Sequence, residues 1–121
     1  MNELEQKAAD FAVRIRKFIK TLPSTLANYE DVRQLIKSSG SIGANYIESN
    51  EALSKKDRVM RLKISRKEAK ETAFWINTIL KSNELQSSVA QSGESLLGEA
   101  NELKNILSAI IIKTETREKA T

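Results

Sequence analysis

No cysteine occurs among the 121 residues, so a disulfide framework and any thiolate metal site are excluded. Histidine is absent too. That removes the commonest general base, the commonest zinc ligand and the Glu-x-x-His pattern of di-iron bundles. One proline, four glycines and six aromatics leave little to build turns or strands, and the composition is that of an all-helical chain. Long apolar runs are missing: the longest, Ala109 to Ile112, falls far short of the roughly 20 residues needed to span a bilayer. The first residues, MNELEQKAADF, are polar and acidic and lack a signal-peptide pattern. A cytoplasmic protein without cofactor or membrane contact is expected. A chain of this length is expected to form one domain over residues 1–121, large enough to bury a core unaided.

What is present is charge, unevenly placed. Eight of the twenty basic residues lie between Lys55 and Lys70, in KKDRVMRLKISRKEAK, opposed only by Asp57 and Glu68. The stretch carries +6 while the whole chain carries +4. The excess is therefore a patch, the electrostatic footprint of a surface that meets phosphates or an acidic partner.

Apolar spacing predicts four helices. Leu4, Ala8, Phe11, Ile15, Phe18 and Leu22 recur at steps of three and four, giving a helix over about 2–21 that stops before Pro23. Ser24 to Asn28 reads as the connection. Val32, Leu35, Ile36, Ser39, Ile42, Gly43, Tyr46 and Ile47 form the inner face of a second helix over about 29–50. Gly40 and Gly43 inside it each cost roughly 1 kcal/mol relative to Ala, and close approach of a neighbouring backbone would offset that; a local kink is the alternative. Ser54-Lys-Lys-Asp57 resembles a capping box and opens a third helix over about 54–82. Its core stripe is Leu62, Ser65, Ala69, Thr72, Ile76, Ile79 and Leu80. At about 100° per residue the lysines and arginines occupy another arc, with Phe74 projecting among them and Trp75 on a flank. Ser88-x-x-Gln91 is a second capping-box candidate, and Val89, Leu96, Ala100, Leu103, Leu107, Ile110 and Thr114 hold a heptad over a fourth helix of about 88–117. Gly93 and Gly98 predict weak first turns there, and the tail TETREKAT a frayed end. Four amphipathic helices with short links make an antiparallel, up-down-up-down four-helix bundle.

The segment QLIKSSGSIGANYIESNEALSKKD, Gln34 to Asp57, resembles the four-helix-bundle proteins encoded in intervening sequences of bacterial 23S ribosomal RNA genes. The shared pattern is Ser41, Ile42, Gly43, Ala44 and Asn45, then Glu48, then Ser54, Lys55, Lys56 and Asp57. RKEAKETAFW, Arg66 to Trp75, is similar to the matching segment of one branch. The resemblance covers Gln34 to Leu80; outside it, helices one and four match in length and periodicity. Arg58 and Arg61 stand where apolar or aromatic residues are usual; the expected partners are Glu48 or Glu51, or a neighbouring subunit. The resemblance implies a left-handed bundle assembled as a ring-shaped homopentamer. It also implies similarity to the accessory protein of diversity-generating retroelements, a basic pentameric bundle that binds nucleic acid and a reverse transcriptase.

Two surfaces are candidates for function. Lys55, Lys56, Lys63, Arg66, Lys67 and Lys70 could follow the row of charge on RNA or DNA, with Phe74 stacking on an unpaired base. The same side chains could instead form a solvated face with local pairs such as Lys67–Glu71 and Lys63–Glu68. Ser41, Asn45 and Glu48 share one face of helix two, and with Phe74 and Trp75 they are the candidate oligomer interface. There Asn45 and Glu48 would receive bonds from Arg66 or Lys70. Glu48, Glu51, Glu68 and Glu71 could converge between helices two and three, but intervening cations favour ion pairing over metal binding or acid–base work. The expected role is a non-enzymatic oligomeric module that binds RNA or DNA. The alternative is a protein-interaction scaffold whose basic face pairs with acidic residues of neighbouring subunits or of a client, a reverse transcriptase among them.

Overall fold

The computed structural model describes the backbone of residues 1–120 and the side chains of residues 1–117. It contains α1 (Glu3–Ile19), α2 (Leu26–Asn50), α3 (Lys55–Ser82) and α4 (Ser87–Ala120). Each start follows from local chemistry. Asn2, Thr25 and Ser54 accept the orphan N–H groups of Glu5, Asn28 and Asp57 with their side-chain oxygens. The cap at Thr25 brings α2 in three residues earlier than apolar spacing suggests. At α4 the helix already begins at Ser87, so Ser88 lies inside its first turn and is not the cap. α4 continues to Ala120, through most of the TETREKAT segment expected to fray; Thr121 lies outside the described residues.

The four helices form an all-α bundle in which α1 packs on α2, α2 on α3, α3 on α4 and α4 on α1. Between α2 and the α3 segment, residue numbers fall on one side as they rise on the other. Asn28 meets Asn83, Ser38 meets Thr72, and Asn45 meets Arg61.

One core unites all four elements. Ala8, Phe11, Ile15 and Phe18 of α1 meet Leu35, Ile42 and Tyr46 of α2, Leu62, Ala69, Ile76 and Ile79 of α3, and Leu96, Ala100, Leu103, Leu107 and Ile111 of α4. Each fully buried large side chain contributes about 1.5–3 kcal/mol relative to exposure. In α4 the buried residue after Leu107 is Ile111, with Ile110 only partly covered. A straight helix drifts about 20° per heptad, so a strict seven-residue register slips by one position along its length.

The α2–α3 seam is narrow and polar. Ser38, Ser39, Ser49, Ser65 and Thr72 are buried there or beside it. Ser65 Oγ donates to the Ile42 carbonyl at 2.7 Å, and Thr72 Oγ1 lies 2.9 Å from Ser38 Oγ. No buried side-chain N or O among the described residues lacks a partner. Ile47, expected on the inner face, is 41% exposed, because the buried stripe runs through Tyr46 and Ser49. Gly43 faces α1 closely: a Cβ there would lie 3.3 Å from Ala8 Cβ. Close approach of α1 therefore accounts for that glycine. Gly40 meets only the tip of Arg16, at 3.6 Å.

At one end of the bundle Asn28 and Asn83 exchange reciprocal amide hydrogen bonds of 2.8 Å. Asn28 also donates to the Pro23 carbonyl at 2.9 Å. The pair ties the α1–α2 connection to the end of α3.

Candidate nucleic-acid interface

α3 is two-sided because its sequence holds two periodic patterns at once. Leu62, Ser65, Ala69, Thr72, Ile76 and Ile79 are buried against α2 and α4. At about 100° per residue, Lys56, Met60, Lys63, Lys67, Lys70, Phe74 and Lys81 fall within an arc of about 80° on the far side. From Lys56 to Lys81 this stripe is about 37 Å long at 1.5 Å per residue. Every one of the seven side chains is exposed. Lys81 and Met60 escape a reading focused on the charge-dense stretch; the 56–60–63–67–70–74 spacing is the signal that finds them.

The six cations expected to act together are not equivalent. Lys55 is exposed but sits off the stripe, towards the α4 side of the wheel. Lys63 Nζ reaches Glu115 of α4 at 3.3 Å. Its partner is thus across the bundle surface rather than Glu68 on its own helix. Arg66, half-buried, points its guanidinium at Ser108 Oγ, 3.5 Å away. Lys56, Lys67, Lys70 and Lys81 have no carboxylate within salt-bridge reach among the described residues. Between Lys56, Lys63 and Lys67 lies a shallow groove of about 450 Å³ floored by Val59, Met60 and Ile64.

Retaining these cations works against the helix. Lys55 and Lys56 occupy the first turn, where the macrodipole disfavours positive charge by about 0.3–1 kcal/mol each. Lys63 and Lys67 are like charges one turn apart, again unfavourable. Asp57 in the same turn and the Ser54 cap offset part of this.

Phe74 is 60% exposed, while Phe11 and Phe18 are buried. Its ring centroid lies 4.9 Å from that of Trp75, at 83°, an edge-to-face pair. Trp75 is partly buried and packs against the core.

Of the candidate residues on α2, Asn45 is engaged within the chain. Asn45 donates from Nδ2 to the Ser41 carbonyl at 2.9 Å and accepts at Oδ1 from Arg61 Nη1 at 3.3 Å. Arg61 therefore takes the place expected of Arg66 or Lys70, and it pairs with Asn45 rather than with Glu48 or Glu51. Glu48 is exposed, beside exposed Ala44 and Ile47. Of the four carboxylates considered together, Glu68 and Glu71 lie close enough to interact. Burial first, and then the neighbouring Glu71, push the Glu68 carboxyl above its ordinary value, against the pull of Lys67 and Lys37. Among the described residues no cluster of three or more carboxylates is arranged to hold a metal ion. None of the described helices is long and apolar enough to cross a membrane.

Comparison with known proteins bears on the same frame. The family model of the 23S rRNA-intervening sequence protein matches residues 2–109. The crystal structure of a protein with unknown function from the S23 ribosomal protein family, from Bacteroides thetaiotaomicron, is similar with a TM-score of 0.78. It shares 30% sequence identity over 89% of this chain and 97% of that one. A search of curated proteins returns no match.

Proposed function

The chain belongs to the 23S rRNA-intervening sequence protein family, and from the outer stripe of α3 we propose that it is a non-catalytic nucleic-acid-binding module. The observation that carries this reading is the alignment of Lys56, Lys67, Lys70 and Lys81 along one exposed face with no carboxylate within salt-bridge reach among the described residues. Lys56 in the first turn and Lys67 one turn from Lys63, held at a cost to their own helix, point to use outside the fold. Phosphates would be met by these lysines, with Lys63 joining when Glu115 is displaced. Affinity would come from released counterions and carry little sequence preference. The falling and rising residue pairs between helices support an antiparallel, up-down-up-down bundle.

The assembly proposed is a ring-shaped homo-oligomer of five subunits, as the family resemblance implies. Its contact face would be the exposed side of α2 around Ser41, Asn45 and Glu48. Exposed Ile47 and Ala44 beside Glu48 support this, since they leave apolar surface next to a charge able to set register. A ring would repeat the α3 stripe on every subunit and multiply weak phosphate contacts.

The test is fluorescence anisotropy of labelled RNA across a salt series, with molar mass measured in parallel. For about four phosphate contacts on a single strand, log K should fall against log salt with a slope of about −3. Lys67→Glu with Lys70→Glu should abolish binding while leaving helicity and mass unchanged. RNA retention by that double variant equal to the parent would remove the reading. Loss of the oligomer in the same variant would instead support a scaffold whose basic face pairs with acidic residues of its neighbours.

A further inference from the structure

The α3 stripe is not uniformly cationic. Phe74, 60% exposed, and Met60, 47% exposed, interrupt it. Lys67 and Lys70 lie about two turns and one turn before Phe74, and Lys81 about two turns after it. Met60 and the apolar floor of Val59 and Ile64 lie in turn between Lys56, Lys63 and Lys67. The order along the face is therefore cation, apolar platform, cations, ring, cation.

That order suits one kind of occupant. A duplex keeps the flat faces of its bases stacked and offers a helix only phosphates, sugars and base edges, and in A-form RNA the major groove is too deep and narrow for side chains to read, so a protruding Phe74 would find no base to stack on. An unpaired strand offers phosphates and the flat faces of its bases together, and bases stack on aromatic rings between backbone-tracking cations. Phe74 is also restrained for such a task. The edge contact with Trp75, itself packed on the core, limits how far the exposed ring can swing. Lys, Met and Phe carry no paired donor and acceptor set to read a base edge or a 2′-hydroxyl.

We infer that the outer stripe of α3 selects single-stranded over double-stranded nucleic acid, with one base stacked on Phe74 and its flanking phosphates on Lys67, Lys70 and Lys81. This rests on the cationic stripe being a nucleic-acid surface, as proposed above. RNA and DNA strands are held alike, because neither the stack nor the lysines discriminate the sugar.

The experiment compares a 15-nucleotide oligouridylate with a duplex RNA of equal length, at one salt concentration, on the whole chain. The single strand should bind more tightly. It should also change the fluorescence of Trp75, the chain's single tryptophan, as its neighbour is covered. Phe74→Ala should weaken single-strand binding by about 5- to 150-fold, the worth of one base stack. Phe74→Tyr should restore it, and duplex binding and the salt slope should not move. Equal affinity for strand and duplex, or a silent Phe74→Ala, overturns the inference while salt-sensitive binding through the lysines still stands. A change of molar mass in Phe74→Ala overturns it as well, since the ring would then be covered by another subunit. Absence of salt-sensitive binding to either probe refutes the cationic-stripe reading itself.

Discussion

Two glycines five residues apart on α4 should respond to the same substitution in opposite ways. Replacing Gly by Ala inside a helix gains up to about 1 kcal/mol of propensity wherever the added methyl finds room. At Gly98 nothing lies within 4 Å of the new Cβ, so Gly98→Ala keeps the whole gain. At Gly93 the Cβ would fall 2.5 Å from Leu80 Cδ2 and 3.1 and 3.2 Å from Phe18 Cζ and Cε1. The leucine tip can turn, but the Phe18 ring is buried and pinned in the core. Overpacking of this sort costs about 1–3 kcal/mol, which outweighs the propensity gain. Gly93→Ala should therefore be destabilised by up to about 2 kcal/mol. At the usual unfolding entropy per residue, a chain of this length shifts its Tm by about 4 °C per kcal/mol. Gly98→Ala should then melt about 2–4 °C above the parent, and Gly93→Ala up to about 8 °C below it. The assay is thermal unfolding followed by circular dichroism at fixed protein concentration, since an oligomer's Tm depends on concentration. Gly93→Ala melting at or above Gly98→Ala would refute the packing of α4 on Phe18 and Leu80.

Other outcomes test other parts of the structure. Asn28→Ala takes the donor from Asn83 Oδ1 and from the Pro23 carbonyl, while Asn83 Nδ2 keeps its bond to Ile79, and should cost about 1–3 kcal/mol, read as a lower urea midpoint with unchanged slope. Ser65→Ala removes the bond to the Ile42 carbonyl and should cost about 1 kcal/mol, whereas Ser65→Leu should cost more because it forces α2 and α3 apart. Glu68→Gln tests the raised carboxyl. An acid whose folded value lies above its unfolded one holds its proton longer when folded, so native stability declines as pH rises from the ordinary glutamate value through the raised one. The variant should equal the parent below about pH 4 and exceed it at pH 7 in melts across that range; equality at pH 7 would contradict it. Arg14→Ala, which loses a surface pair with Glu99, should shift stability by less than about 1 kcal/mol, and less again in high salt.

Periodicity carried most of the fold. On α1 and α3 the buried residues are the ones that recur at three and four, because a helix with one apolar stripe has only one way to face a core. The family segment from Gln34 to Leu80 was equally legible, and so was the placement of most of the cations opposite the α3 core. The fate of each polar side chain was not. From the sequence, Lys63 is expected to pair with Glu68 and Asn45 with Arg66, while the bundle gives Lys63 to Glu115 and Asn45 to Arg61. Such choices depend on how neighbouring helices rotate and slide, and a few degrees decide which of two carboxylates a long flexible side chain meets.

Composition and spacing by themselves determined that this chain is helical, that it has four helices, and that α3 turns opposite chemistries to its two sides. All three depend only on the 3.6-residue turn and on which side chains leave water. Tertiary structure alone decided that Gly43 and Gly93 are points of close approach, which partners the buried hydroxyls of the α2–α3 seam find, and that Trp75 on its flank packs against the core. Those outcomes are set by the distance between helices, a quantity that no single helix carries in its own sequence.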